Sequence, residues 1–136
     1  MIYDRERETR EAIQAGERAL QSLRDAKAHL HSAGNWGILD ILGGRGLTAL
    51  MKHNRVRDAG RCLEDAERDL SVFRRELGDV RELDIHIPEL LVFADFFFDG
   101  PLVDVMVQSR IREAEGRVEE ASRRTEEVLR ELRKMI

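Results

Sequence analysis

Apolar residues recur every three or four positions along most of this chain, and this spacing restricts the fold to long helices packed side by side. In an α-helix the spacing places the apolar side chains on one stripe, the seam, which must be buried against another helix. No seam position of the second segment is charged. The second segment has Val56, Ala59, Leu63, Ala66, Leu70, Phe73, Leu77 and Val80 in its seam, and the third has Val107, Ile111, Ala114, Val118, Ala121, Thr125, Val128, Leu132 and Met135.

The first segment has a less regular seam and a second, narrower stripe of alanine. It contains no proline and only one glycine, Gly16, before residue 34. Alanine every seven residues on one flank predicts a face that lets a neighbouring helix backbone come close, although chance composition is the alternative. The seam consists of Ile13, Gly16, Leu20, Leu23, Lys27 and Leu30, and the alanine stripe of Ala12, Ala19, Ala26 and Ala33.

These patterns predict an all-α protein with a single domain: three long heptad-patterned helices in an antiparallel coiled-coil-like bundle. We expect a helix over 4–33, a glycine-rich elbow over 34–47, a helix over 48–80, a phenylalanine-rich connector over 81–100 and a helix over 101–135. Gly78 is expected to end the second helix, and Asp99-Gly100-Pro101 to begin the third. Four Glu-to-Arg pairs at i, i+4 are expected to mark solvated flanks of the third helix. They are Glu113–Arg117, Glu119–Arg123, Glu120–Arg124 and Glu126–Arg130.

The elbow and the connector are too apolar to be bare loops. The elbow holds half of the glycines and the only tryptophan, and the connector holds four of the five phenylalanines. A three-helix bundle would place these two stretches at opposite ends, so each would need a partner. We therefore expect an antiparallel homodimer, with another protein as the alternative partner. The junction residues are Trp36, Gly43, Gly44, Arg45, Gly46, Phe93, Phe96, Phe97 and Phe98.

Composition excludes several classes of function. A net charge of −4 argues against a nucleic-acid binder, which normally carries a basic excess. The longest mostly apolar run, 87–98, is too short to span a bilayer, and residues 1–6 lack the apolar region expected of a secretory leader. A cytoplasmic location is expected. Membrane contact through Phe96 to Phe98 is a third possibility, weakened by the neighbouring acids.

Several local features match no complete chemical signature and have simpler structural interpretations. Gly43-Gly44-Arg45-Gly46 precedes a helix as phosphate loops do, but it lacks the Gly-Lys-Ser/Thr ending, so a tight turn is favoured. Cys62 is expected to be a small packed residue, because no cysteine or histidine lies near it at metal-ligand spacing. His29 and His31 point to different sides of a helix and are expected to be solvated. No cofactor is predicted.

Carboxylates and one histidine form a candidate metal or ligand site where the elbow and the connector would meet. Such residues can bind a divalent metal or carry out acid–base chemistry. Helix capping and solvation explain the same aspartates and are favoured over the site. No catalytic residue is predicted, and a non-enzymatic role is favoured. The candidate residues are Asp40, His53, Asp95, Asp99 and Asp104.

Charge is distributed unevenly along the chain. Residues 82–109 contain six acids and no lysine or arginine, whereas residues 45–61 contain five basic residues and one acid. This asymmetry favours docking of the acidic segment on the basic one, within a chain or across a dimer. Two independently solvated faces are nearly as well supported.

The elbow and the connector together resemble a pattern in small, helix-rich bacterial proteins to which no activity is attached. The residues concerned are Asn35-Trp36-Gly37, Leu39-Asp40, Leu42-Gly43-Gly44, His53 and Phe93-Ala94-Asp95-Phe96-Phe97-Phe98-Asp99-Gly100. The chain differs from the pattern at Arg45, where another glycine is expected. The resemblance implies that the elbow and the connector belong together and that the source is bacterial.

Overall fold

The protein is all helical over the part of the chain that the structure describes. The computed structural model describes residues 3–41, 47–81, 83 and 111–136, and the side chains of residues 3–31, 57–81, 83 and 112–136. Three helices are present in these ranges: α1 at Arg5–Ile41, α2 at Leu47–Gly78 and α3 at Ile111–Lys134. The all-α prediction is therefore confirmed.

Helix α1 begins at a capped N-terminus. The Asp4 carboxylate accepts a hydrogen bond from the backbone N–H of Arg7 at 3.1 Å, and the Asp4 carbonyl accepts one from the N–H of Glu8 at 3.0 Å. The carboxylate thereby satisfies one of the N–H groups that a helix leaves unpaired in its first turn. This aspartate fixes the start of the helix close to the predicted position.

Helix α1 ends later than predicted. It continues from Ala33 through the first part of the elbow to Ile41, and so includes Trp36. The prediction that the elbow starts at residue 34 is wrong for a physical reason. Gly34 and Gly37 each weaken a helix by about 1 kcal/mol relative to alanine, but only proline would remove a hydrogen bond of the ladder. Residues 42–46 lie outside the described ranges.

The end of α2 agrees with the prediction at Gly78. Beyond it, the N–H of Asp79 donates to the Glu76 carbonyl and the N–H of Val80 to the Leu77 carbonyl, both at 3.1 Å. These bonds form a tight exit turn, and Val80 remains buried inside it. The connector beyond Leu83 and the predicted start of the third helix at 101–110 lie outside the described residues.

Helix α1 packs against both α2 and α3, more extensively against α2. Residue numbers along α1 rise as those of its contacts in α2 and α3 fall, which is an antiparallel order. The contacts with α2 and its exit turn are, along α1, Tyr3 with Arg81, Ser22 with Asp69 and His29 with Cys62. Those with α3 are Glu17 with Arg133, Arg24 with Glu126 and Lys27 with Glu119.

One hydrophobic core joins the three helices, and the predicted seams supply most of it. Every predicted seam residue of α2 whose side chain is described is buried, and so are those of α3 apart from the partly buried Met135. In α1, Ala12, Ala19 and Ala26 of the alanine stripe are completely buried. Lys27, placed in the seam by its spacing, is instead exposed and pairs with Glu119. Among the described residues Ile136 is the one exposed large apolar side chain.

Side chains of two other helices approach α1 closely at Gly16. A Cβ atom built on this residue would lie 2.7 Å from Leu129 Cδ2 and 2.8 Å from Phe73 Cε1. Both neighbours are fully buried and belong to different helices. Side chains of α2 and α3 therefore meet over Gly16, and the absence of a side chain there lets all three helices share one layer of the core.

The core also contains two buried threonines. Thr9 Oγ1 donates to the Arg5 carbonyl and Thr125 Oγ1 to the Ala121 carbonyl, each at 2.7 Å. Each bond lies within its own helix, one turn back. Because both hydroxyls are satisfied locally, threonine occupies these two core positions without leaving its hydroxyl unpaired.

Candidate functional site

The predicted metal or ligand site falls mostly outside the described residues. Asp40 lies in the last turn of α1 and His53 in the second turn of α2, but their side chains are outside the described set. Asp95, Asp99 and Asp104 lie outside the described residues. So do the junction residues other than Trp36, and for Trp36 only the helical backbone is described. The docking of the acidic segment on Arg45 and its basic neighbours stays a prediction.

A different acidic cluster lies where α1 begins and α2 ends. Carboxylate oxygens of Glu8, Glu76 and Asp79 lie within 4.8 Å of one another. Three carboxylates at this spacing have the donor chemistry that hard cations such as Ca²⁺ prefer. No sequence pattern indicated this cluster, because Glu8 lies about 70 positions before Glu76 and Asp79 and only the antiparallel order of α1 and α2 brings them together.

The negative charge of Glu8 is unfavourable in this cluster. Burial raises the pKa of Glu8 above its ordinary value of 4.5, and the charges of Glu11, Asp79 and Glu76 raise it further, while Arg7 opposes the shift. The Glu8 side chain is only 18% exposed. The charged form of Glu8 is therefore less favourable in the folded protein than in the unfolded chain.

We expect Glu8→Gln to stabilise the protein at pH 7. A carboxylate whose folded pKa is raised binds more protons when folded, so its contribution to stability falls as the pH rises from 4.5 through the folded pKa. The advantage of the variant should therefore be small below pH 4.5 and largest at neutral pH. Urea unfolding of both proteins at pH 4 and pH 7 measures this difference.

Glu6→Gln is the matched control for this prediction. Glu6 lies on the same helix, but its carboxylate accepts a hydrogen bond from Arg10 at 2.7 Å instead of facing other acids. Its removal should bring no stabilisation at pH 7. If Glu8→Gln is less stable than the original protein at pH 7, the cluster is not repulsive and this account of it is wrong.

Next in the chain after Asp79 and Val80, Arg81 makes a contact with the aromatic side chain of Tyr3. The Tyr3 hydroxyl accepts a hydrogen bond of 2.6 Å from the backbone N–H of Arg81, and the Arg81 guanidinium lies 4.3 Å from the centre of the Tyr3 ring. A cation over an aromatic ring is attracted to its face. The contact holds the segment before α1 against the exit turn of α2.

Cys62 lies beside a histidine that is distant from it in the sequence. Helix α1 brings His29 to it, with 3.5 Å between Cys62 Sγ and His29 Nδ1, and the same nitrogen lies 2.9 Å from the Asp25 carbonyl. His29 is exposed, as expected, but it is also part of this contact. Burial raises the pKa of the Cys62 thiol, and the negative charges of Asp25, Asp65 and Asp58 raise it further. The thiolate is thus disfavoured, which opposes a nucleophilic role.

The charged flank of α3 is used differently from the prediction. Glu113–Arg117 and Glu120–Arg124 are present as predicted, at 3.1 and 2.9 Å. Arg123 pairs instead with Glu120 and Glu127. The other two predicted acids reach α1: Glu119 pairs with Lys27, and Glu126 with Arg24 at 3.2 Å. These two acids connect helices, so their predicted partners are wrong, but their side chains remain solvent-exposed as expected.

The ion pairs between α1 and α3 border a groove between the two helices. Leu20 and Leu129 lie in it below the charged rim. Its charged lining comprises Glu17, Arg24, Glu126, Arg130 and Arg133. Glu17 pairs with Arg133 at 3.1 Å and Arg24 with Glu126 at 3.2 Å. Both acids of the lining are thus paired with bases, and the two pairs join the helices.

No protein-family model, curated protein or solved structure matches this chain. Within the described part of the chain, no helix has both the length and the apolar character needed to cross a membrane.

Proposed function

We propose that this protein is a structural or protein-interaction module that acts as a cytoplasmic homodimer. The observation that supports this role most directly is the use of its charged side chains. Three acid–base pairs connect α1 to α3, and further pairs lie along single helices. Pairing of this kind stabilises a scaffold, and helices with such surfaces are widely used to present or join other parts of an assembly.

The homodimer is supported by the positions of the apolar residues that do not belong to the helical seams. The described helices bury their own seams within one chain, so their faces do not call for a second copy. The tryptophan and most phenylalanines fall in the elbow and the connector. We propose that these two stretches supply the contact between chains, in keeping with the resemblance that links them. Antiparallel association would bring the connector of one chain to the elbow of the other.

We expect sedimentation equilibrium at micromolar concentration to give about twice the chain mass of 15.7 kDa. A single species at the monomer mass would rule out the homodimer. Phe97→Ser should shift the equilibrium toward monomer, because it removes an apolar contact from the proposed interface. Ile136→Ser is the matched control: it changes an exposed apolar residue at the end of the chain and should leave the mass unchanged.

Tryptophan emission provides a second measurement on the same protein. If Trp36 is buried in the proposed contact, its emission should lie to the blue of free tryptophan and move to the red on unfolding. In the Phe97→Ser variant the emission should already be red-shifted before unfolding. Emission like that of tryptophan in water from the native protein would contradict the proposed burial of the elbow.

The alternative function is that of a protein that binds a metal or small ligand, or of an enzyme that uses such a site. The residues of this site would be Asp40, His53, Asp95, Asp99 and Asp104. The placement of Asp40 and His53 on the two helices that flank residues 42–46 favours it. Calorimetric titration with Zn²⁺, Mn²⁺ and Mg²⁺ separates the two functions. Binding that is lost in both His53→Ala and Asp95→Asn would support the site. Binding lost only in Glu76→Gln would instead belong to the acidic cluster of Glu8, Glu76 and Asp79.

A further inference from the structure

We propose that α3 is a separable helix, which undocks from the pair formed by α1 and α2 while that pair stays folded. This inference concerns a motion of the described helices and does not depend on the proposed function. It rests on a difference between the two interfaces of α1: the one with α2 is mainly close apolar packing, whereas the one with α3 depends on exposed charges and contains polar groups.

The interface between α1 and α2 is built for close contact. The described alanines of α1 at heptad spacing and the described seam of α2 are all buried, and α1 packs more extensively against α2 than against α3. The buried residues of that seam are Ala59, Leu63, Ala66, Leu70, Phe73 and Leu77, followed by Val80 in the exit turn. Small residues on one side and large ones on the other let the helices interlock, and this apolar part of the contact is insensitive to salt.

The interface between α1 and α3 has more exposed and more screenable contacts. Lys27–Glu119, Arg24–Glu126 and Arg133–Glu17 connect the helices, and their side chains are between 43% and 59% exposed. Ion pairs at this exposure contribute little individually and weaken as ionic strength rises. Because salt screens all three pairs, their combined contribution to the docking of α3 falls as the ionic strength rises.

The buried face of α3 is also less apolar than that of α2. Its largest buried side chains are Leu129 and Leu132, and Thr125 occupies a seam position. The Oγ atom of Ser122 is buried and has no hydrogen-bond partner among the described residues. A buried hydroxyl without a partner opposes docking, because water satisfies it when the helix is free. Release of α3 would relieve this cost and would uncover Phe73 and Leu20.

Native-state hydrogen exchange, followed residue by residue, tests the proposal on the full chain. We expect amides of α3 to share one opening event that is faster than exchange of the most protected amides of α1 and α2. Raising NaCl from about 0.01 M to about 1 M shortens the screening length from about 30 Å to about 3 Å. Exchange in α3 should then speed up by about tenfold, the effect of three exposed pairs, with little change in the centre of α2.

Two variants make the test specific to the α3 interface. Ser122→Ala should slow exchange in α3 by at least about fivefold, since it removes the unpaired hydroxyl, and should leave α2 unchanged. Ser71→Ala, at an exposed position of α2, is its matched control. Glu126→Gln should speed exchange in α3 at low salt and have no further effect at high salt.

If α3 exchanges at the same rate and with the same salt response as the centre of α2, the three helices open together and the proposal is wrong. The same conclusion follows if Ser122→Ala slows exchange equally in all three helices. Both outcomes are measurable whether the protein is a monomer or a dimer.

Discussion

Phe73→Ala is expected to lower the free energy of unfolding by about 3 to 5 kcal/mol. Phe73 is the largest fully buried side chain among the described residues, and its ring lies over Gly16 beside Leu129. Truncation removes the ring from a layer to which all three helices contribute. Because the surrounding side chains belong to long helices that share one core, they cannot collapse fully into the space, and the cavity adds to the lost burial.

Chemical denaturation measures this loss, and Val72→Ala is the neighbouring control. Val72 is only partly buried against the core, so its truncation should cost about 1 kcal/mol. Equal losses for the two variants would mean that Phe73 is not at the centre of the core. A loss below about 1 kcal/mol for Phe73→Ala would contradict the described packing of α1 against α2.

Gly16→Leu is expected to destabilise the protein by about 3 kcal/mol, although leucine is a much better helix former than glycine. The first atom of any side chain at Gly16 would already lie under 3.0 Å from Leu129 and Phe73. A leucine must therefore push two buried side chains on different helices apart. The steric cost exceeds the gain of about 1 kcal/mol in helix propensity.

The matched control is Gly116→Leu. Gly116 lies within α3, and a Cβ built there meets nothing within 4 Å. The same exchange of residues should there stabilise the protein by about 0.5 to 1 kcal/mol. Opposite signs for the two variants would separate close packing from helix propensity. If both variants stabilise the protein, α2 and α3 do not meet over Gly16.

A double-mutant cycle connects the two predictions. In a Phe73→Ala background, the space left by the ring should accommodate part of the new side chain of Gly16→Leu. We therefore expect the second substitution to cost less there than in the original protein, with a coupling of at least about 1 kcal/mol. Additive effects would place Phe73 and Gly16 in separate parts of the core.

The positions of the buried seams could be predicted from the sequence, because burial in a long helix follows directly from the 3.6-residue period. The described seam residues of α2 and α3 lie in the core, and the alanine stripe of α1 is buried. Helix α2 ends at Gly78, as the sequence predicted. The end of α1 was missed, because two glycines weaken a helix without removing its hydrogen bonds and the sequence does not show which effect prevails.

Ion pairing could be predicted only in part. Residues one turn apart on a helix face each other wherever the helix lies, so Glu113–Arg117 and Glu120–Arg124 follow from spacing alone. Glu119 and Glu126 have equally suitable partners one turn away, yet they pair with α1. The partner of each acid depends on how α3 is rotated about its axis relative to α1. The residue spacing within one helix gives no information about that rotation.

The sequence by itself determined that this protein is helical and which face of each described helix is apolar. It also determined that the charged residues lie on the other faces of these helices. These properties depend only on residues one or two turns apart. Only the tertiary structure decided which distant residues meet. The antiparallel order of α1 and α2 brings Glu8 to Glu76 and Asp79, and His29 to Cys62. It also gives Gly16 its role, because a glycine in a seam becomes a point of close approach only when two other helices place Phe73 and Leu129 above it.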